Sequence, residues 1–311
     1  MKMKLISKVL CIGIVVFLIT ATVPYITAEV STDSSTDNGS STGPRIYNGP
    51  KEVYDERSSD QEMKARPDRP GKPPVGPKPN PSVNKWAVVI GISDYLGTQN
   101  DLEYCDDDAR DMYNYLLAKG YPAGSIKLLL DSEANASAII SAIDWLKFWE
   151  NESSEVVFFY SGHGSWYNGY NDGDTEYRDE AIVSADLYLI LDGQLRQRFS
   201  TFESRKISFI FDSCFSGGMD DLVGAWTGAT INGRVVVAAC GEKQYSYDGT
   251  STQQNGVFTY FYMQGLNVKN TIEGAFAYAA PLAHDFVATQ YHHAHMDPQM
   301  YDLYTGDWTF F

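Results

Sequence analysis

This sequence is short of basic charge. Its 24 Lys and Arg stand against 40 Asp and Glu, a formal charge of −16, and no basic stripe is long enough to follow a phosphate backbone. That excludes nucleic acid as a partner, whereas a cationic ligand would be drawn to the molecule. Cysteine is scarce too, with four in 311 residues, which excludes a disulfide-stapled scaffold. After one N-terminal apolar run there is no second stretch long enough to span a bilayer. No internal repeat is visible, which excludes a solenoid or propeller.

What is present begins with a leader. Lys2, Lys4 and Lys8 precede the apolar run "VLCIGIVVFLITA", and Thr27 and Ala28 offer a cleavage point, with Ile26 less well suited to it. Residues 1–28 read as a signal peptide, which implies a secreted or cell-surface protein. Left uncleaved, the same run is near the length of a membrane anchor. Its removal leaves Cys105, Cys214 and Cys240, an odd number that keeps at least one thiol unpaired.

Residues 29–84 contain "STDSSTDNGSSTG" and "RPDRPGKPPVGPKPNP". Such polar, proline-rich sequence holds neither helix nor inner strand, so it reads as a disordered linker. Its scattered basic residues, Arg45, Lys51, Arg57, Lys64, Arg66, Arg69, Lys72 and Lys78, allow a second reading as a propeptide that the protein cuts itself.

From residue 85 to 311 the texture is that of one folded domain, in a chain with 43% hydrophobic residues. "KWAVVIGI", "SIKLLL", "EVVFFYS", "KISFIFD" and "RVVVAAC" read as buried strands. Helices are expected over about 107–119, from a Ser137 cap to about Trp149, over about 191–202, near 258–265 and over 271–290. "WYNGYNDGDTEYRDE" reads as a polar loop. Strand and helix alternating in this way imply right-handed crossovers and a mainly parallel central sheet with helices on both faces, an α/β sandwich.

In such sheets ligands bind beyond the carboxyl ends of the strands. "YSGHGSW" places His163 just past the third strand, and "DSCFSGG" places Cys214 just past the fourth. A thiol is a strong nucleophile once deprotonated, and an imidazole beside it assists that. The glycines flanking His163 let the backbone approach a substrate. The backbone N–H groups of Gly164 and Cys214 are candidate donors to an oxyanion. A structural histidine and an inert buried thiol are the bland alternatives; the matched strand ends weigh against them.

"FFYSGHG" and "FIFDSCFSGG", together with "VVIGISDY", "YCDDDARDMYNYL", "DEAIVSAD" and "AACGEKQYSYDG", resemble the metacaspase branch of the caspase-like cysteine peptidases. "DPQMYDLYTGDWTF" is similar to the tail of bacterial and archaeal relatives. A His about 50 residues upstream of the Cys is the spacing described for caspases, but the local signature of the animal enzymes is replaced by "DSCFS". The resemblance implies a caspase-like three-layer sandwich and a Cys–His dyad. Cys214 would attack the scissile carbonyl, and His163 would move the protons. No Asp or Asn is needed to orient His163. Phe215 stands where metacaspases usually carry His.

The resemblance also implies a specificity pocket lined by Cys105, Asp108, Ser161 and Asp212. Two carboxylates in a cleft pair with Arg or Lys, so peptide or protein substrates would be cut after a basic residue and not after Asp. Alone, Asp108 reads as a helix first-turn charge and Asp212 as a turn residue.

No cofactor is required. Calcium activation is an open expectation on two grounds: Asp172, Asp174, Glu176, Asp179 and Glu180 are rich in oxygen ligands, and Asp179, Asp192, Asp220 and Asp221 are the nearest matches to the family's calcium acids. Gly193 stands where relatives often carry a second acid, and a solvated acidic loop is the alternative. His292 and His295 lack an evident fourth zinc ligand. Rival functions are a non-catalytic module binding through the same cleft and a peptide ligase or transpeptidase on the same dyad. Legumain-like and gingipain-like peptidases match less well.

Overall fold

The computed structural model describes residues 45–46, 84–168, 178–224, 231–291 and 294–310. In chain order the elements are β1 (Arg45–Ile46), β2 (Lys85–Gly91), α1 (Cys105–Ala118), β3 (Ile126–Leu130), α2 (Ala136–Trp149), β4 (Glu155–Ser161), β5 (Gly164–Asn168), β6 (Arg178–Val183), β7 (Tyr188–Leu191), α3 (Asp192–Phe199), β8 (Ile207–Asp212), β9 (Arg234–Ala238), α4 (Val257–Lys269), α5 (Ile272–Gln290) and β10 (Gln299–Asp302).

The five apolar runs expected as strands are β2, β3, β4, β8 and β9. They pair in parallel, and β10 closes one edge antiparallel, in the order β10-β9-β8-β4-β2-β3. Every residue of β4 and β8 is buried. That is why these strands are continuously apolar rather than alternating, for both faces of the sheet are covered. Val156, Phe158 and Tyr160 point into one core with Ile139, Ile143, Leu146, Leu195 and Phe199 of α2 and α3. Val157 and Phe159 point into the other with Met112, Leu116, Tyr262, Leu266 and Ala279 of α1, α4 and α5. The three layers expected from the sequence are present.

Helix ends differ in detail. The cap of α2 is Asn135, whose side-chain oxygen accepts from Ala138 N–H at 3.0 Å, two residues before the expected Ser137. The α1 helix starts at Cys105, so Asp106, Asp107 and Asp108 occupy its first turn, where the helix dipole favours negative charge.

A second sheet was not expected. Part of the segment read as a loop forms β5 and β6, which pair antiparallel, and β7 pairs with β6. The half-exposed "GSWYN" of β5 carries no apolar alternation. It becomes a strand because β6 supplies its hydrogen bonds. The order is β1-β7-β6-β5. Arg45–Ile46, within the segment read as linker, thus runs parallel to Tyr188–Leu189 as an edge strand. Among the described residues no helix is long and apolar enough to cross a membrane.

Candidate active site

The register of β4 and β8 sets the site. Ser161 is the strand partner of Asp212, so the chain leaves both strands at the same edge, and His163 and Cys214 follow two residues later. The backbones meet there. A methyl group on Gly164 would collide with the carbonyl oxygen of Cys214, so this approach requires glycine.

The imidazole is oriented by a backbone carbonyl. His163 Nε2 lies 2.8 Å from Asn100 O. A carbonyl only accepts, so Nε2 carries the proton and Nδ1 keeps its lone pair. Asn100 is held in its own turn by its side-chain N–H donating to Leu96 O at 2.9 Å. The Tyr95 hydroxyl accepts from His163 N–H at 2.7 Å, and its ring lies 4.7 Å from the imidazole. Burial lowers the His163 pKa below its ordinary 6.5, and the Asn100 hydrogen bond partly offsets this. The imidazole is therefore neutral near pH 7. No side-chain pattern could have revealed this orienter, because any residue supplies a carbonyl.

The Cys214 thiol donates to Ser246 O at 3.8 Å. Burial pushes its pKa up to about 12, and the neighbouring Cys240 thiol adds to the rise. Burial thus favours the thiol over the thiolate at Cys214 and the neutral imidazole at His163. Alkylation of Cys214 by iodoacetamide is expected to quicken continuously between about pH 6 and 9, without the early plateau of a low-pKa thiolate. A plateau below about pH 7 would contradict this resting state.

Gly164 also presents its amide. His163 O accepts from Val183 N–H, and Gly164 faces Ile182 across the ladder. Hydrogen-bonded and non-bonded pairs alternate in antiparallel ladders, so the Gly164 N–H points away from β6. That is the orientation an oxyanion donor needs.

Beside the pair lies a buried acidic cluster. The four residues expected there converge. Asp108 Oδ2 accepts from Ser161 Oγ at 2.7 Å and its Oδ1 from Gly256 N–H at 3.0 Å. Asp212 Oδ1 accepts from Ser246 Oγ at 2.5 Å, and its Oδ2 from Thr259 N–H at 2.9 Å and Thr259 Oγ1 at 2.8 Å. A methyl on Gly256 would sit 2.5 Å from Asp212 Oδ2 and 3.0 Å from Asp108 Oδ2, so only glycine fits against the two carboxylates there. Burial raises both pKa values, and for Asp108 the Asp212 charge is the next cause. Cys105 is buried in the same place, its thiol raised by burial and then by Asp248.

Asp248 is an acid the sequence reading did not assign. It bridges to Gly256 in a short antiparallel pair and accepts from Glu103 N–H at 3.4 Å. Burial raises its pKa to about 6, and the Asp212 charge contributes to the rise. Its signal, with that of Ser246, was the quoted "QYSYDG", whose roles the spacing does not reveal.

The acids expected for calcium lie on three segments that pack against one another. Asp179 and Asp192 are buried in β6 and at the start of α3. Asp220 and Asp221 sit in the 3-10 segment Ser216–Val223, and Asp221 pairs with Arg196 at 2.5 Å. Gly193 N–H donates to Asp192 Oδ1 at 2.9 Å. Among the described residues no three potential ligands gather as a metal site, and no step is routed through calcium. Asp172, Asp174 and Glu176 lie outside the described residues, as does His292 of the zinc reading. His295 lies near Asp297 and helps to lower its pKa, after the Gln244 hydrogen bond and His284.

Comparison with known proteins follows this geometry. The caspase-domain family of peptidases matches residues 84–280. Metacaspase-3 of Arabidopsis thaliana is 31% identical over 47% of this chain and 43% of its own length. Metacaspase-1 of the same plant is 26% identical over 62% of each chain, and metacaspase-1 of Candida albicans is 32% identical over 46% of this chain and 35% of its own. The chain thus spans between 35% and 62% of the length of these relatives. A solved Geobacter sulfurreducens protein superposes with a TM-score of 0.51 at 16% identity, covering 72% of this chain and 95% of that one. At that identity the likeness is one of fold.

Proposed function

Because this chain belongs to the caspase-domain family, on its metacaspase-like side, we propose that it is a cysteine endopeptidase cutting after Arg or Lys. The observation that carries the proposal is one sheet edge. His163 and Cys214 leave it together, and Asp108 and Asp212 lie buried beside them against Gly256.

In the proposed reaction the basic side chain enters the acidic pocket and places the scissile carbonyl over Cys214. Sγ attacks the carbonyl carbon as His163 Nδ1 takes the thiol proton. Both partners start neutral, so the transfer belongs to the substrate-bound state. The negative oxygen is met by the N–H groups of Gly164 and Cys214. The imidazolium, steadied by Asn100 O, returns its proton to the leaving amine as the C–N bond breaks. Water, deprotonated by His163, then opens the thioester and restores the thiol. The same reaction at a basic residue of 29–84 would make the protein self-processing.

The test is a panel of peptides ending in Arg, Lys or Asp at the cut. Cleavage is expected for the first two. Cleavage of the Asp peptide alone would overturn the pocket assignment. The KM for the basic peptides is expected to fall as pH rises through about 6, where Asp248 ionises, and Asp248→Asn is expected to remove that step. A KM in the wild-type protein that does not change between pH 5 and about 7 would remove Asp248 from the pocket.

A further inference from the structure

The residue after the nucleophile is strained. Phe215 has φ 60° and ψ 12°, in the left-handed region, which a residue with a side chain occupies only when its surroundings impose it. Its N–H donates to Gln244 O at 2.8 Å, and its carbonyl accepts from Gly218 N–H at 3.1 Å. Its ring is gripped as well, lying 5.2 Å from Tyr245 and 5.0 Å from the Arg178 guanidinium. The same guanidinium lies 4.7 Å from Trp166, so it bridges a ring of β5 and the ring that follows Cys214. Arg178 Nε also pairs with Glu180 Oε1 at 3.3 Å. Glu180 is fully buried, and its carboxylate packs against Gly218 so closely that a methyl there would collide with it. Strand β6 therefore holds the nucleophile turn at both ends, Arg178 at Phe215 and Glu180 at Gly218.

We propose that Arg178 is a positioning residue whose guanidinium, bridging Trp166 and Phe215, holds Phe215 in the left-handed conformation that aims Cys214 into the cleft. The proposal rests on the peptidase reading for its kinetic consequences. A planar cation suits the task because it presents a face to each ring while its Nε reaches Glu180; a lysine ammonium does none of this with the same geometry. Trp166 lies two residues beyond Gly164, so the clamp ties the oxyanion strand and the nucleophile turn into one rigid unit. Arg178 also follows directly on the acid-rich segment 171–177.

The test pairs Arg178→Ala and Arg178→Lys with the same changes in a Phe215→Gly background. Glycine takes the left-handed conformation without strain, so the clamp has less to hold there. In the native background, Arg178→Ala is expected to lower kcat by roughly 10- to 100-fold with KM within about twofold. Arg178→Lys is expected to recover little of the loss. In the Phe215→Gly background the same substitutions are expected to cost no more than about threefold. Full activity in Arg178→Ala, full rescue by Lys, or an equal loss in both backgrounds would each overturn the proposal. If Arg178→Ala does not fold, the Lys pair decides it. Iodoacetamide alkylation of Cys214 needs no substrate and separates the two ideas. An altered rate in Arg178→Ala supports the clamp even if the wild-type protein cuts no peptide, and an unaltered rate with an intact fold overturns it.

Discussion

Cys214→Ala is expected to abolish peptide cleavage, lowering kcat/KM by at least about 10⁴-fold, while its melting temperature stays within a few degrees of the wild type. The reason is chemical. In the proposed reaction the thiol sulfur is the attacking atom, and alanine leaves a half-buried position with a smaller side chain and the loss of one long sulfur hydrogen bond to Ser246 O. The covalent route disappears, and the oxyanion donors at Gly164 and the pocket acids remain. Intact mass gives a second readout. Wild-type protein is expected to show a cut after one of the basic residues between 29 and 84, and Cys214→Ala to stay whole. A variant that still hydrolyses Arg peptides, or still shortens itself in pure form, would remove Cys214 as nucleophile. A variant that is silent yet still binds a partner through the cleft would instead favour a binding module.

Asp108→Asn is expected to move activity and stability in opposite directions. Asp108 and Asp212 are buried side by side, and each is raised above the ordinary carboxylate range, first by burial. The folded state thus holds their protons more tightly than the unfolded chain does. The stability these groups contribute is complete below the unfolded pKa of about 4, and it is lost as pH rises through the folded values. At neutral pH the pair is a strain on the fold, which the cationic side chain of the proposed substrate would relieve. Asparagine keeps Oδ1 for Gly256 N–H, and its Nδ2 replaces the oxygen that faces Ser161 Oγ, which can turn to accept, so a like charge beside Asp212 is removed. The variant is expected to melt higher than wild type at pH 7, with the gap closing toward pH 4. Its kcat/KM for Arg peptides is expected to fall about 100-fold or more, from loss of one charge-assisted contact to the substrate cation. A variant that keeps Arg cleavage, or that melts lower at pH 7, would contradict the pocket as described.

Some elements were legible because their physics is local. The buried strands announce themselves as apolar runs, for a strand covered on both faces has no polar side to show. His163 and Cys214 stood out because reactive residues beside glycine at strand ends are rare by chance. The β5–β6 pair was illegible because "GSWYN" has no periodicity of its own, and its strand exists only through its partner. Asn100 escaped because a backbone carbonyl leaves no trace in residue identity. Gly256 and Thr259, which frame the acid pair, lie far along the chain from Asp108 and Asp212, and no spacing rule links them.

The strands, the helices and the candidate nucleophile and base were written in the residue order, since burial pattern and side-chain chemistry are properties of short segments. The three-dimensional fold alone decided which carbonyl aligns the imidazole, that burial favours the neutral thiol and imidazole, and that Arg178 lies between Trp166 and Phe215. Those depend on desolvation and on contacts between segments distant in the chain, and such quantities come into being only once the layers have packed.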